Sequence, residues 1–343
     1  MGHRTLGGDS RRLWKKVMLP DSHHPLSGEE KEQLRATILA TGAVAVGFAE
    51  ASDVSADFHG HFRRWLAQGM AGPLHYMNNH IEVRTNPSNL LPGAATVISI
   101  AFPYFPARRR ADDAPMVGMY AYGRDYHKTI RSLTKSLLAH LNARYGAENR
   151  LCVDSAPLPE RYWALRAGIG RKGRNSTIIV EEAGSFVVLA EILTTLAVEP
   201  DAPSAQDCLG CGRCLRACPT GALTAEGLDA SRCLSALTIE VKGEWDESQK
   251  SVMATEKGRA TLFGCDRCQT CCPHNSGVIP TPIKDFLPRR AILDLRPEEL
   301  IKMTEEEFAA RFSGTPLMRG GLDSLRRNAL NILGSAAHAS EKP

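Results

Sequence analysis

The 343-residue sequence lacks any run of about 18 apolar residues, the length that a membrane-spanning helix requires. It also has little excess charge: the formal net charge is +4 at pH 7, and residues 1–20 alone carry five Lys and Arg against one Asp. Residues 21–343 are therefore close to neutral overall. These two absences argue against a membrane protein and a generally basic nucleic-acid-binding protein, so any RNA site has to be a local basic patch.

The sequence also lacks a dinucleotide-binding motif and the apolar region of an export signal. No G-x-G-x-x-G sequence follows a predicted strand, and residues 168–173 form only a basic glycine turn, so a Rossmann dinucleotide site is unsupported. The arginine pair in residues 10–16 is followed by a polar, proline-containing segment instead of the apolar region of an export signal. We therefore expect residues 1–27 to be a disordered basic extension, or the product of an early start codon, and the protein to be cytoplasmic.

Cysteine, in contrast, is abundant, and most of the ten cysteines fall into two short runs. The run from Cys208 to Pro219 has the Cys-x2-Cys-x2-Cys-x3-Cys-Pro spacing of bacterial two-cluster ferredoxins, in which the fourth cysteine binds the other cluster. The run from Cys265 to Pro273 has the same ending. This spacing predicts two [4Fe-4S] clusters. It is less typical of zinc sites, which use separated Cys-x2-Cys pairs, or of disulfides, which are rare in cytosolic proteins.

The crossover of the fourth cysteine also predicts which thiolates bind each cluster. One cluster is expected to be bound by Cys208, Cys211, Cys214 and Cys272. The other cluster then has Cys218, Cys265 and Cys268, and Cys233 is the nearest candidate for its fourth ligand. Cys152 and Cys271 are left over, and for both the favoured role is that of a small buried hydrophobic residue.

Hydrophobic periodicity predicts the order of the structural elements. A capping box at residues 27–30 opens a predicted helix that ends near Gly42. The other predicted elements are strands over 43–48 and 97–102, helices over 53–68 and 125–145, paired strands over 176–180 and 185–189, and helices over 297–312 and 319–337. This order indicates an α/β (or α+β) domain over 28–200, a bacterial two-[4Fe-4S] ferredoxin-like domain over 201–280 and a short α-helical tail over 281–343.

Several segments of the chain resemble the epoxyqueuosine reductase family. They are Arg84-x-Asn86-Pro87, Tyr122–Lys128, Val153–Pro157, Gly170–Asn175, Cys208–Pro219, Cys233–Glu240 and Gly264–Gln269. The resemblance covers about residues 28–335. It implies that the first domain binds cobalamin, that the tail is HEAT-like, and that the enzyme reduces epoxyqueuosine to queuosine at the tRNA wobble position with electrons from two [4Fe-4S] clusters.

The resemblance also implies roles for individual residues. Asp154 matches the proton donor of the family, and its apolar sequence context predicts that burial raises the pKa of this carboxyl group. The alternative for Asp154 is a turn or helix cap before Pro157. The positions that match cobalamin contacts are Arg84, Asp154, Asn175, Leu189, Glu191, Ser235 and Asp266.

Cobalamin is expected in its base-off form, without a lower ligand from the protein. Enzymes that supply a histidine to the cobalt use the sequence Asp-x-His-x-x-Gly. The two nearest sequences in this chain begin at Asp21 and Asp125, and both lack the glycine.

The expected partners are a tRNA that carries epoxyqueuosine and an external low-potential electron donor, and the protein is expected to be a monomer that does not bind membranes. Phosphate contacts position an RNA whose unpaired loop presents the base. The basic patches predicted to make such contacts are Arg108–Arg110, Arg289–Arg290 and Arg319 with Arg326–Arg327.

Two other functions remain open at the level of sequence. A cobalamin-dependent reductive dehalogenase would share the cofactor, the two clusters and a reductive cleavage. A ferredoxin-type electron carrier without catalysis would share only the clusters, and it would not need the roughly 200 residues that precede them.

Overall fold

The computed structural model describes residues 25–205 and 207–339, and it describes residues 335–339 by their backbone alone. Apart from its last three residues, the predicted extension over 1–27 lies outside the described residues, as does the sequence that begins at Asp21. No helix within the described ranges is both long and apolar enough to cross a membrane.

The described chain contains helices and strands of very different lengths. The helices are α1 Gly28–Leu39, α2 Ala56–Ala67, α3 Ile81–Thr85, α4 Tyr126–Tyr145, α5 Glu160–Arg166, α6 Arg213–Ala217, α7 Leu234–Ile239, α8 Glu247–Met253, α9 Glu256–Arg259, α10 Arg267–Thr270, α11 Arg290–Leu293, α12 Pro297–Lys302, α13 Glu305–Phe312 and α14 Leu317–Ala339, which is interrupted at Gly321. The strands are β1 Ala45–Glu50, β2 Thr96–Pro103, β3 Met116–Val117, β4 Asn149–Cys152, β5 Arg171–Lys172, β6 Ile178–Ile179, β7 Val187–Thr194 and β8 Thr261–Phe263.

A four-stranded sheet with the order β1-β2-β7-β4 forms the centre of the larger part of the molecule. All three strand pairs are antiparallel, and the longest pair, β2 with β7, runs in register from Thr96 opposite Thr194 to Pro103 opposite Val187. The mixed fold predicted from the sequence is therefore confirmed in its α+β form, because α/β folds are built on parallel strands.

The two faces of this sheet belong to two hydrophobic cores. On β2, Ile98 and Ile100 point into the core that also contains residues of α1 and α4, while Val97 and Ala101 point into the core that contains Trp163 of α5. This alternation follows from the two-residue period of a strand. Helix α5 thus packs on the face opposite α1 and α4, and it begins close to the cysteine-rich end of the fold.

The cysteine-rich segment consists of short helices and turns. Helices α6 and α10, which carry Cys214 and Cys268, pack against each other. Helix α2 anchors this segment to the sheet region, since Nε1 of Trp65 donates a hydrogen bond of 2.7 Å to the carbonyl oxygen of Leu228.

The C-terminal helices share a core with the sheet. Ile292, Leu300 and Phe308 belong to the same buried cluster as Phe48 and Ile98. Helix α14 also contacts α7 and β8, and the side-chain amide of its Asn328 donates to the carbonyl oxygens of Thr238 and Leu262. The tail is therefore continuous with the rest of the fold.

Three predictions about secondary structure were wrong in detail. The Ser27 side chain makes no capping hydrogen bond, because Gly28 has a φ of +52° and the first turn of α1 is irregular. The segments over 176–180 and 185–189 do not pair with each other: Val180 forms a single bridge to Gly184 in the turn between them, and residues 187–189 pair with β2 instead. The single helix predicted over 297–312 is divided, because Thr304 caps a new helix with Glu307.

Candidate active site

The eight cysteines predicted to bind iron fall into two separate sets in space. One small cavity is lined by Cys208, Cys211, Cys214 and Cys272. A larger cleft, with a volume of about 410 Å³, is lined by Cys218, Cys233, Cys265 and Cys268. We call these the first and second cysteine sets; the crossover of the fourth cysteine predicts the membership of all but Cys233, which was the nearest candidate for the remaining position.

Short helices ending in Cys-Pro produce this division. Cys214 lies on α6, and Cys218 follows the helix with an extended backbone before Pro219, so the two thiols leave the helix in different directions. Helix α10 repeats the arrangement, with Cys268 on the helix and Cys272 just after it. Each run therefore contributes its last cysteine to the set of the other run.

The electrostatics of the second set suit a bound iron cluster. Burial raises the pKa of Cys268, and the neighbouring Cys265 and Cys233 raise it further. Burial also raises the pKa of Cys233 and of Cys265. Four thiolates in such a place repel one another unless positive iron is bound between them, so the donor set fits a cluster that supplies this charge.

The two leftover cysteines differ in their surroundings. Cys152 is buried in the core beneath the sheet, as predicted. Cys271 is only partly buried, and its raised pKa comes from burial and from the charges of Cys214 and Cys272. The prediction of a buried hydrophobic role for Cys271 is therefore wrong, because this thiol lies beside the first set.

The cleft brings together some of the residues predicted to contact cobalamin. Asp154, Asn175, Leu189 and Ser235 line it together with the second cysteine set. Asn175 also lines the first cavity, and its Nδ2 donates a hydrogen bond to the carbonyl oxygen of Cys268. This asparagine therefore joins the two cysteine sets.

Arg84, Asp266 and Glu191 are not among the residues that line the cleft. The Arg84 guanidinium donates to the carbonyl oxygens of Tyr76 and Asn79. Asp266 is buried, which raises its pKa to about 6, and it accepts hydrogen bonds from the Met119 N–H and the Gln269 amide. In the described structure the side chains of Arg84 and Asp266 hold backbone segments together.

Asp154 has a strained backbone and a well-anchored side chain. Its φ of +52° is in the left-handed region that residues other than glycine rarely adopt. The Tyr126 hydroxyl donates to its Oδ2 at 2.7 Å, and Nε2 of His127 lies 3.5 Å from the same oxygen. The side chain remains 62% exposed towards the cleft.

The expected rise in the pKa of Asp154 is wrong. The partial enclosure of this carboxyl group raises its pKa. The hydrogen bonds from His127 and Tyr126 together lower the pKa by more than this, so the pKa of Asp154 is below the ordinary value. The apolar sequence around Asp154 gave no sign of these two partners, because they come from the first turn of α4.

His127 lies between two carboxylates. Its Nδ1 is 3.1 Å from Oδ1 of Asp125, and its Nε2 faces Asp154. Burial lowers its pKa, but the hydrogen bonds to Asp125 and Asp154 outweigh this effect and raise it to about 9. The ring is therefore an imidazolium at neutral pH. Sequence analysis did not assign Tyr126 or His127 a role, although both lie in a segment that carries the family resemblance.

Two glutamates lie next to Asp154: Glu160, which is half-buried in the wall of the cleft, and Glu191, which is buried. The Asp154 N–H donates to Oε1 of Glu160, and the Ser99 hydroxyl donates to Oε1 of the fully buried Glu191. Burial, followed by the charge of Asp154, raises the pKa of Glu160 to about 8; burial and then Glu160 raise the pKa of Glu191. Glu191 faces α5 beneath the sheet, so its predicted contact with cobalamin has no support in the cleft geometry.

Only some of the arginines in the predicted RNA patches are exposed and able to contact phosphate. Arg110 and Arg327 are buried and donate to backbone carbonyl oxygens, which excludes them as phosphate ligands in this conformation. Arg319 forms an ion pair with Glu240. Arg108, Arg109 and Arg290 are exposed.

Comparison with known proteins agrees with this geometry. Residues 84–155 match the family model described as epoxyqueuosine reductase QueG, DUF1730, and residues 207–275 match that of a 4Fe-4S double cluster binding domain. The prediction of two iron–sulfur clusters is thereby confirmed over zinc and disulfides.

Individual relatives extend the match over most of the chain. The epoxyqueuosine reductase of Pseudomonas aeruginosa is 37% identical over 83% of this chain and 80% of its own length. That of Leadbetterella byssophila is 34% identical over 83% of this chain and 94% of its own length.

Solved structures give the same result. A crystal structure of epoxyqueuosine reductase with an epoxyqueuosine-modified tRNA-Tyr stem loop has a TM-score of 0.80 and 31% identity, and the match covers 90% of this chain and 82% of the other. A structure of the Bacillus subtilis enzyme, whose catalytic aspartate loop is swung out of the active site, also has a TM-score of 0.80, with 30% identity and the same coverage. At this identity and over this share of both chains, the relatives show that the chain belongs to the epoxyqueuosine reductase family.

Proposed function

We propose that this protein reduces epoxyqueuosine to queuosine in tRNA, using two [4Fe-4S] clusters and cobalamin, with Asp154 as the group that delivers a proton. The observation that carries the proposal is the cleft in which Asp154 and the second cysteine set occur together, within a member of the epoxyqueuosine reductase family. This membership favours epoxide reduction over dehalogenation and over a purely electron-carrying role.

The chemistry of the cleft suits cobalamin. Its lining combines apolar side chains, such as Val187 and Leu189, with the amide of Asn175 and the hydroxyls of Ser185 and Ser235. A corrin has an apolar ring and a periphery of amide groups, so both kinds of side chain have a matching surface to contact. The described residues of the lining include no histidine. The base-off state of the cofactor stays a prediction.

Reduction of an epoxide to an alkene breaks two C–O bonds, consumes two electrons and two protons, and releases water. Bound in the cleft, cobalamin would supply a metal centre that accepts single electrons from the clusters and delivers a pair to the substrate. The protein has to supply the protons.

The proton path that we propose runs from His127 to Asp154. Because the imidazole is charged and the carboxyl group ionised at neutral pH, the proton is stored on His127. It would pass through Oδ2 of Asp154 to the oxygen that leaves the substrate. The Tyr126 hydroxyl holds the same Oδ2 and so fixes the direction in which the carboxylate points.

The proposal also covers the roles of the domains, the tRNA contacts and the source of electrons. We assign cobalamin binding to residues 28–200, the clusters to 201–280 and additional tRNA contacts to the exposed arginines of the tail and of the 108–109 loop. The protein is proposed to act as a cytoplasmic monomer that receives electrons from an external low-potential donor.

The test is a single-turnover assay under anaerobic conditions. Protein reconstituted with iron, sulfide and cobalamin is reduced and mixed with tRNA bearing epoxyqueuosine, and the nucleosides are analysed by mass spectrometry for loss of one oxygen atom. Asp154→Asn should lower the rate at least about 100-fold, the scale of a lost acid–base group. Asp113→Asn, a matched change at an exposed loop position, should not. Unchanged epoxide with fully loaded wild-type protein would overturn the proposal.

A further inference from the structure

The first cysteine set lies at the surface of the molecule, on the side where an electron has to enter. Cys211 is exposed, and the neighbouring Leu209 is 67% exposed. The second set lines the cleft that contains Asp154. An electron that travels to the cleft through both clusters therefore starts at the first set.

Four cations lie close to this leucine, two of them on α6 and two on the segment that pairs with Asp207. Lys172, Arg174, Arg213 and Arg216 are all exposed. Nη1 of Arg174 donates to the carbonyl oxygen of Gly210 at 3.4 Å, and Nη2 of Arg216 donates to that of Cys211 at 3.2 Å. The two guanidinium groups are thus attached to the loop that carries Cys208 and Cys211.

In the part of the chain that the structure describes, no acidic side chain forms an ion pair with these cations. The nearest acidic residue by backbone pairing is Asp207, which is bridged to Lys172. Glu181 and Glu182 lie in the turn before Gly184, which approaches His274 at the edge of the first cavity. The surface keeps a net positive charge around an apolar centre.

We propose that this surface, Leu209 with Lys172, Arg174, Arg213 and Arg216, is the docking site of a small acidic one-electron carrier protein. An apolar centre with a rim of one charge suits a transient partner, since the charges steer the encounter and the centre excludes water where the redox groups approach. The proposal names the electron donor's class and rests on the proposed function.

A tRNA phosphate backbone would also be attracted to four cations. The observations favour a protein, because the patch is centred on an exposed leucine and on the cysteine loop, and an electron carrier gains from both. Phosphate binding would use the cations and leave the leucine without a role.

The best residues to test are Lys172 and Arg213, because neither side chain makes a hydrogen bond to the cysteine loop among the described contacts. The double variant Lys172→Glu/Arg213→Glu changes the charge of the patch. The control Lys135→Glu/Lys302→Glu makes the same change of net charge at exposed positions on α4 and α12. Iron and sulfide content and the cluster spectra are compared first, and they should equal those of the wild type.

Two measurements use a purified bacterial flavodoxin as the probe. Its dissociation constant from the reconstituted protein should rise about tenfold or more in the patch variant at low salt, and flavodoxin-driven bleaching of the cluster absorbance should slow accordingly, with a weaker dependence on salt. The control variant should match the wild type. Reduction by dithionite, which needs no docking, should be unchanged in all proteins.

Equal behaviour of patch and control variants towards flavodoxin would overturn the proposal. So would a patch variant that binds flavodoxin normally but has lost affinity for tRNA, since the surface would then bind RNA. Failure of the proposed function gives a different result: dithionite-reduced wild-type protein would leave epoxyqueuosine unchanged, while flavodoxin binding would still report on the surface.

Discussion

The backbone N–H of Asp154 donates a hydrogen bond of 2.5 Å to Oε1 of Glu160, the first residue of α5. The contact joins residues six positions apart and closes a loop around Ala156 and Pro157. It holds Asp154 at a φ of +52°, a conformation that costs a residue with a side chain roughly 1–2 kcal/mol. Glu160 lines the cleft beside Asp154 and, through this contact with the backbone, positions the Asp154 carboxylate.

Replacement of Glu160 tests this positioning role. Glu160→Ala removes the acceptor, and we expect the Asp154 loop to leave its left-handed conformation, with a loss of roughly 1 kcal/mol in the free energy of unfolding. The single-turnover rate should fall at least about tenfold, while the KM for tRNA stays the same. Glu160→Gln keeps an oxygen acceptor and should stay close to the wild type. Equal rates in the Ala variant and the wild type would contradict the assignment.

The charge of His127 predicts a pH dependence. Its pKa is raised from 6.5 to about 9 in the folded protein, so its ion pairs with Asp125 and Asp154 contribute stability fully below pH 6.5, and this contribution is lost as the pH rises through about 9. The single-turnover rate should decline over the same interval, because the stored proton is lost. His127→Asn should remove this decline and lower the rate at all pH values. A wild-type profile that is flat to pH 10 would contradict the proposed proton store.

The two cysteine sets predict different results for Cys233 and Cys271. Cys233 lines the cleft with the second set, so Cys233→Ser should lower the iron content from about eight towards about four atoms per chain. Cys271 lies beside the first set but does not line its cavity, so Cys271→Ser should retain about eight. Iron analysis and electron paramagnetic resonance of the reduced protein measure both. Loss of iron in Cys271→Ser with full iron content in Cys233→Ser would instead make Cys271 the cluster ligand.

Two arginines of the predicted RNA patches should behave differently. Arg327 is buried over the Trp245 ring, 4.2 Å from its centroid, and donates to the carbonyl oxygens of Val241 and Leu237. Arg327→Ala should lower the free energy of unfolding by about 3 kcal/mol, since it leaves buried carbonyl groups unpaired. Arg109→Ala, at an exposed position, should leave stability unchanged and weaken tRNA binding. Denaturant unfolding and a tRNA binding assay separate the two effects.

Spacing in the sequence was sufficient to predict the grouping of seven cysteines in the two runs, because ligand order there is fixed locally by short helices and Cys-Pro turns; Cys233, which lies in neither run, was chosen only as the nearest remaining cysteine. The long helix α4 and the strands β1 and β2 were likewise predictable, since each has a continuous hydrophobic pattern. The pairing of β7 was not, because a buried strand does not reveal which neighbours occupy its edges.

The surroundings of Asp154 depended on contacts that no local pattern contains. Tyr126 and His127 are 28 and 27 residues away in the chain, and they reach the carboxylate only because α4 begins next to the loop after β4. Leu189 and Glu191 are two residues apart on β7 and therefore lie on the same face of the sheet. Leu189 lines the cleft, whereas Glu191 lies deeper along this face, where α5 covers it. Resemblance alone could not distinguish these positions.

The exchange of terminal cysteines between the two runs couples metal loading to chain folding. Neither binding pocket can be completed by one contiguous peptide, since each needs a thiol supplied from about fifty residues away. A nascent chain that has synthesised only the first run can therefore offer iron an incomplete set of donors. Cluster insertion should for this reason follow the docking of α6 against α10. A chain that holds both clusters has then already completed that folding step.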